Sequence, residues 1–169
     1  MRWLAWVLGG VVGGVGLIAM TKKANASDLV GFDALFQHWA AVYGVDWRLV
    51  KAHAMRESSL DAYAVNEADP SYGLGQVLCD AASPDSPCRN KLNVDGWSQA
   101  TPNRLLNPDF NIRIATQIIA ANIRQYGLPR AIAVYNRFAE HASPLNGPFQ
   151  NQAYVDDVLR IYGELGGVL

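Results

Sequence analysis

Apolar residues in this chain recur at helical spacing, and capping residues bracket most of the runs. In "DLVGFDALFQHWAAVYG", Leu29, Phe32, Leu35, Phe36 and Trp39 fall on one face and Gly44 ends the segment, which predicts an amphipathic helix. Asp46 suits the N-cap of a second helix running through about Ser58, with Trp47, Val50 and Ala54 as its apolar stripe. Asn107-Pro108 opens a third, lined by Phe110, Ile114, Ile118 and Tyr126 and closed by Gly127. Pro129 starts a shorter helix across "PRAIAVYNRF", and a last one covers roughly Gln152 to Leu165. No run alternates convincingly as a strand, although residues 60–80 have room for a short hairpin. The expected fold class is mostly α.

The amino terminus departs from this amphipathic pattern. From Trp3 to Met20 no charged residue interrupts an almost wholly apolar run. As a helix it would rise roughly 27 Å, close to the thickness of a hydrocarbon core. Gly9 with Gly13 and Gly10 with Gly14 form small-xxx-small pairs that let another helix approach closely. The competing reading is a cleaved secretory signal, since Ala24-Asn25-Ala26 precedes Ser27 in an A-x-A arrangement. The length of the run and the crowding of Lys22 and Lys23 favour a retained anchor, with a cleaved signal as the alternative. Arg2 and Lys22-Lys23 flank both ends, so charge leaves the orientation open. The chain is thus read as a membrane anchor or signal over 1–26 and one domain over 27–169.

On the second helix, Glu57 extends the stripe of Trp47, Val50 and Ala54, where periodicity asks for an apolar residue. Arg48, Lys51 and Arg56 lie largely off that stripe. A carboxyl group ending an apolar face is partly desolvated, and desolvation raises its pKa. An acid still protonated near neutral pH is what general-acid cleavage of a glycosidic bond requires. The same spacing also describes a solvated glutamate at a frayed helix end, and spacing alone does not choose between them.

Charge and cysteine content narrow the classes. Of 14 basic and 15 acidic residues, Arg2, Lys22 and Lys23 lie in 1–26 and no acid does. The remainder therefore carries 11 basic against 15 acidic side chains, a balance of −4, which argues against a nucleic-acid partner. Cys79 and Cys88 flank "DAASPDSP", a loop composition, and outside the cytoplasm they read as a local disulfide. Three dispersed histidines and no H-E-x-x-H give no metal site, and no cofactor is implied.

Three short segments carry a family resemblance. Glu57-Ser58, then Gly73-Leu74-Gly75-Gln76, then Val134-Tyr135-Asn136 resemble the ordered E-S, G-L-M-Q and A-Y-N motifs of the lytic transglycosylase family, which has a lysozyme-like fold. The similarity covers about residues 33–163, and "LLNPDFNIRIATQIIAANI" looks like the family's N-P-x-x-N-I helix. The resemblance implies that Glu57 is the single catalytic acid/base and that Gln76 lines the sugar-binding groove. Tyr135 would place its hydroxyl close to the catalytic carboxyl, Asn136 would support it, and Ser58 would help organise the groove. Gly75 stands where the family has methionine, which would remove a side chain from the groove wall, and Val134 stands for alanine. "NRFAEHASPLNGP" lacks the glycine-rich continuation usual after A-Y-N, which puts the far edge of the groove in doubt.

The implied activity is cleavage of peptidoglycan glycan strands at the bond between N-acetylmuramic acid and N-acetylglucosamine. A single-acid enzyme would close the muramyl ring on its own 6-hydroxyl, leaving 1,6-anhydro ends. The alternatives are a lysozyme-type hydrolase, which needs a second carboxylate from Asp61, Glu67 or Asp69, and a non-catalytic wall-binding assembly protein. Expected partners are the glycan strands, a membrane through residues 3–20, and a larger envelope-spanning or virion assembly. The expected location is a membrane-anchored domain facing peptidoglycan in the periplasm or envelope, or a virion membrane, with secretion after signal cleavage as the alternative.

Overall fold

The computed structural model describes residues 31–136 and 148–168. Among them lie helices α1 (Asp33–Tyr43) and α2 (Trp47–Ser58), followed by strands β1 (Val65–Asn66), β2 (Ser71–Tyr72) and β3 (Val77–Leu78). A 3₁₀ turn (Trp97–Gln99) then leads to helices α3 (Pro102–Leu105), α4 (Pro108–Tyr126), α5 (Arg130–Asn136) and α6 (Gln152–Glu164). The anchor or signal expected over 1–26, and Leu29 of the first apolar face, lie outside the described residues. Among those described, no helix is long and apolar enough to cross a membrane.

Local chemistry sets several of the helix ends. Asp46 accepts a hydrogen bond from the Arg48 backbone N–H at 2.9 Å, and Asn107 accepts from that of Phe110 at 3.0 Å, each satisfying an otherwise orphan donor of the first turn. Pro108 occupies the first turn of α4, where its missing N–H has no partner to lose. Gly44 ends α1 at φ 71°, a left-handed conformation that glycine adopts without steric cost. The hairpin allowed for in residues 60–80 is a three-stranded antiparallel sheet, pairing Val65 with Tyr72 and Tyr72 with Val77. The 3₁₀ turn and α3 go beyond the elements that periodicity predicts. Thr101 nevertheless caps α3 by accepting from the Arg104 N–H at 3.1 Å, with Pro102 next to it.

Helix α2 is packed by α1, α4 and α6, so more than its predicted stripe is buried. Leu49, Val50, Ala52 and Ala54 are all in the core, together with His53 and Lys51. Lys51 is offset by an ion pair to Asp33 at 2.6 Å, as a buried ammonium requires. The apolar side chains form two clusters that share α4: Ile112 and Ile119 belong to one, Phe110, Ile114 and Ala115 to the other. Tyr135 packs against both. Each fully buried Leu, Ile or Phe in these clusters stabilises the fold by about 1.5–3 kcal/mol, which fixes the helices that hold the site.

The expected disulfide is present. Cys79 and Cys88 are joined with Cα atoms 5.0 Å apart, and the bridge closes the loop that leaves β3. Backbone bonds from Cys79 N–H to Pro70 O (2.8 Å) and from Cys88 N–H to Ala100 O (3.0 Å) tie the two ends of that loop to the body of the domain.

Candidate active site

Glu57 sits in the last turn of α2, half-buried, at the end of the stripe that periodicity identified. Its Oε1 accepts a hydrogen bond of 2.5 Å from the hydroxyl of Tyr154 on α6. Burial raises the carboxyl above its ordinary range, while the Tyr154 bond and the Arg56 guanidinium pull it part of the way back. Among the described residues no protein group bonds Oε2, which leaves that oxygen for a substrate. The chemistry available is that of an acid that keeps its proton to higher pH than an exposed glutamate, with a donor in place for the carboxylate it becomes.

The Gly73–Gln76 turn is held against the end of α2 by hydrogen bonds involving Asn111, Ser58 and Gln76. Asn111, fully buried on α4, accepts from the Gly75 N–H at 2.8 Å and donates to Tyr72 O (2.8 Å) and Leu105 O (2.7 Å). Ser58 Oγ lies 2.9 Å from Leu74 O and 3.1 Å from Ala54 O, so its hydroxyl braces the turn against the end of α2. Gln76 donates from Nε2 to Gly73 O (3.0 Å) and Ala64 O (3.2 Å). Ser58 thus contacts the turn through its hydroxyl, whereas the Gln76 amide is engaged by backbone carbonyls of its own turn and of the segment before β1. Ser59, Leu60 and Gln76 are the non-glycine residues with positive φ among those described. All three flank Glu57 or end the turn, so the backbone strain, of order 1 kcal/mol or more per residue, is concentrated there.

Tyr135 is not the tyrosine bonded to Glu57. Its hydroxyl donates to Gly75 O at 2.8 Å, close enough to the acid for the Glu57 charge to push the buried phenol further above its ordinary range. Burial, Glu57's charge and the Glu57 bond likewise raise Tyr154, so both phenols stay protonated donors near neutral pH. Asn136 supports a different element from the one expected. Its Oδ1 accepts from Asn151 Nδ2 at 3.1 Å, and Asn151 also bonds Ala133 O at 2.9 Å. These bonds tie the end of α5 to the start of α6, the helix that carries Tyr154.

The groove-wall reading of position 75 is corrected. A Cβ on Gly75 would lie 2.7 Å from the Ala115 Cβ and 2.8 Å from the Tyr135 hydroxyl. The position points into the interior, and glycine there makes room for that hydroxyl. The segment 137–147, which bears on the far edge of a groove, lies outside the described residues.

The other carboxylates near Glu57 in sequence are solvent-exposed. Asp61 is exposed and accepts from the Tyr63 N–H at 2.8 Å, while Glu67 and Asp69 are exposed in the hairpin. A carboxylate at the roughly 5 Å spacing of a retaining glycosidase pair would raise Glu57 by like-charge repulsion, and among the described residues burial is the one cause that raises it. Among the described residues no cluster of His, Cys, Asp or Glu could hold a metal.

Two residues of the site escaped the sequence reading. Tyr154 starts an apolar stripe continued by Val158, Ile161 and Tyr162, which marks it as core. Buried His53 brings Nδ1 to 3.1 Å from the Tyr154 hydroxyl and sets its ring 4.6 Å from that of Tyr135. Its position one helical turn before Glu57 was the available signal.

Comparison with known proteins bears on this arrangement. Residues 34–145 match the family described as the transglycosylase SLT domain. The chain is 37% identical over 79 residues to "Membrane-bound lytic murein transglycosylase C" of Sodalis glossinidius (strain morsitans). The aligned part is 46% of this chain and 20% of that relative, so the chain spans about a fifth of the relative's length.

Proposed function

The chain belongs to the transglycosylase SLT domain family, and from that premise we propose that it is a lytic transglycosylase cutting the β-1,4 bond between N-acetylmuramic acid and N-acetylglucosamine in peptidoglycan. Its mostly helical architecture is consistent with the lysozyme-like fold of that family. The observation that carries the proposal is the half-buried Glu57 carboxyl, bonded on one oxygen by Tyr154, with no second carboxylate among the described residues raising it. One acid must then serve twice. Glu57 gives its proton to the glycosidic oxygen as the C1–O bond breaks, and the bonding electrons leave with that oxygen. The N-acetyl carbonyl of the same muramyl sugar stabilises the positive C1. Glu57, now a carboxylate, removes the proton of the sugar's 6-hydroxyl while O6 bonds to C1. No water enters, and the acid ends protonated as it began.

Within this reading Ser58, Gln76 and Tyr135 shape the strand-binding surface through the Gly73–Gln76 turn, and Asn136 steadies the helix that carries Tyr154. The name of the Sodalis relative supports an envelope enzyme held at a membrane, and the apolar run at residues 3–20 is the segment of this chain suited to such a tether. The domain would then face peptidoglycan from the membrane, alone or within a larger envelope-spanning or virion assembly.

The test is digestion of purified peptidoglycan by the parent protein and by Glu57→Gln. The parent should clear the suspension, and the variant, folded by circular dichroism, should lose at least a hundredfold in rate, the usual weight of a general acid/base. Equal clearing by both would remove Glu57 from the chemistry.

A further inference from the structure

His53 is buried one helical turn before Glu57, and the proposed chemistry makes no direct use of it. Its Nδ1 lies 3.1 Å from the Tyr154 hydroxyl, which lies 2.5 Å from Glu57 Oε1. The three groups form a chain in which one hydroxyl bridges an imidazole nitrogen and a carboxyl oxygen. A hydroxyl has one proton, so the direction of one bond fixes that of the other.

Two arrangements are possible. If His53 carries its proton on Nδ1, it donates to the Tyr154 oxygen, and Tyr154 is left to donate to Glu57 Oε1. The acid proton must then sit on Oε2, the oxygen with no hydrogen-bond partner among the described residues. If His53 instead presents a bare Nδ1, that nitrogen competes for the Tyr154 proton. Once Tyr154 turns toward it, Glu57 Oε1 can keep the short contact only by carrying a proton itself and donating it to Tyr154. The catalytic proton would then point into the protein, away from substrate.

We propose that His53 is a positioning residue: by donating from Nδ1 to the Tyr154 hydroxyl it directs that hydroxyl onto Glu57 Oε1 and so confines the acid proton to Oε2.

The surroundings suit a fixed donor. Among the described residues the titratable groups facing His53 are Tyr154 on α6 and Tyr135 on α5, both phenols that stay protonated, and Tyr135 directs its own proton to Gly75 O. Glu57 is faced in turn by Tyr154, Tyr135 and Arg56. Full burial pushes the His53 imidazole down to about 3, so the ring is neutral at every pH at which the domain would work. Its influence is therefore tautomeric and does not switch with pH.

This inference rests on Glu57 acting as the acid/base, and its test separates the two. Long-range ¹H–¹⁵N spectra of full-length protein labelled at histidine read the tautomer without any turnover, with the His53 signal identified by its loss in His53→Asn. A neutral ring protonated on Nδ1 is expected; protonation on Nε2 alone would overturn the proposal, whatever the products of the enzyme. Kinetics give the second arm. His53→Leu should lower kcat about tenfold with KM little changed, the loss of one hydrogen bond serving a charged group. It should also move the alkaline limb of the pH–rate profile upward, because Glu57 loses an aligned donor. His53→Asn, which can place an amide N–H near the Nδ1 position, should recover most of both. Added to Tyr154→Phe, His53→Leu should cost nothing further in kcat. Full additivity, or an unshifted limb in folded His53→Leu, would show that the histidine does not act through Tyr154.

Discussion

The hydroxyl of Tyr154 donates to Oε1 of Glu57 across 97 residues of sequence, at 2.5 Å. The bond stabilises the carboxylate that forms when Glu57 gives up its proton, and it opposes the rise in pKa that burial imposes. Removing it should have two linked effects. Tyr154→Phe should lose about 10- to 100-fold in kcat, the weight of a hydrogen bond to a charged group. Because the bond lowers the Glu57 pKa, its loss raises that pKa further. The acid then stays protonated to higher pH, and the alkaline limb of kcat/KM should move upward. A pH–rate series on the folded variant checks both, and an unmoved limb would separate Tyr154 from the acid.

Asp46, Gly44 and Asn107 act within a few residues of themselves, so the ends they set are readable from local spacing. Glu57 stands out locally as a carboxylate on an apolar stripe, but that spacing fits a frayed helix end equally well, and the E-S motif is what singles it out as the proposed acid. Tyr154 and His53 do not stand out, because each occupies an ordinary core position of its own helix. Their roles come from the packing of α2 against α6, which periodicity does not encode. Tyr135 shows the converse: its motif brought it to the site, but the space beside Gly75 decided where its hydroxyl points.

That space yields a second prediction. Gly75→Ala would place a Cβ against Ala115 and the Tyr135 hydroxyl, and overpacking of this kind costs about 1–3 kcal/mol. Tyr135→Phe alone leaves the buried Gly75 carbonyl without its partner and should cost a similar 1–3 kcal/mol. Combined, the two changes should cost less than their sum, because the phenylalanine withdraws the atom that the new methyl meets. Urea denaturation of the four proteins measures the coupling, and strict additivity would contradict the contact.

Burial of Glu57 should also tax the fold in a pH-dependent way. Its folded pKa lies above the unfolded value, so the parent is favoured while the group is protonated and loses stability as pH rises through the unfolded and then the folded pKa. Glu57→Gln keeps an acceptor for Tyr154 and has no charge to bury. The variant should therefore gain in Tm over the parent between acidic and neutral pH, with the gain levelling off above the folded pKa. Thermal melts across that window would show it, and a gain that shrinks with rising pH would reverse the assigned sign.

The Cys79–Cys88 bridge closes a loop over a sequence separation of 9. Chain entropy alone makes such a closure worth about 2.5 kcal/mol. Cys79→Ala/Cys88→Ala should lower unfolding stability by about that amount while leaving kcat within a few fold, since the bridge holds the loop beyond β3 and touches neither Glu57 nor Tyr154. Denaturant midpoints and wall-clearing rates test the two halves separately.

The central claim is that Glu57 works as the only catalytic carboxyl and closes the muramyl ring without water. Mass spectrometry of the muropeptides released by the parent protein from purified peptidoglycan tests this most directly. Ring closure predicts 1,6-anhydro ends, lighter than hydrolytic products by one water, about 18 Da, since an internal hydroxyl replaces water as the attacking group, with no such products from Glu57→Gln. Ordinary reducing ends from the parent would contradict the account and require a second acid to activate water.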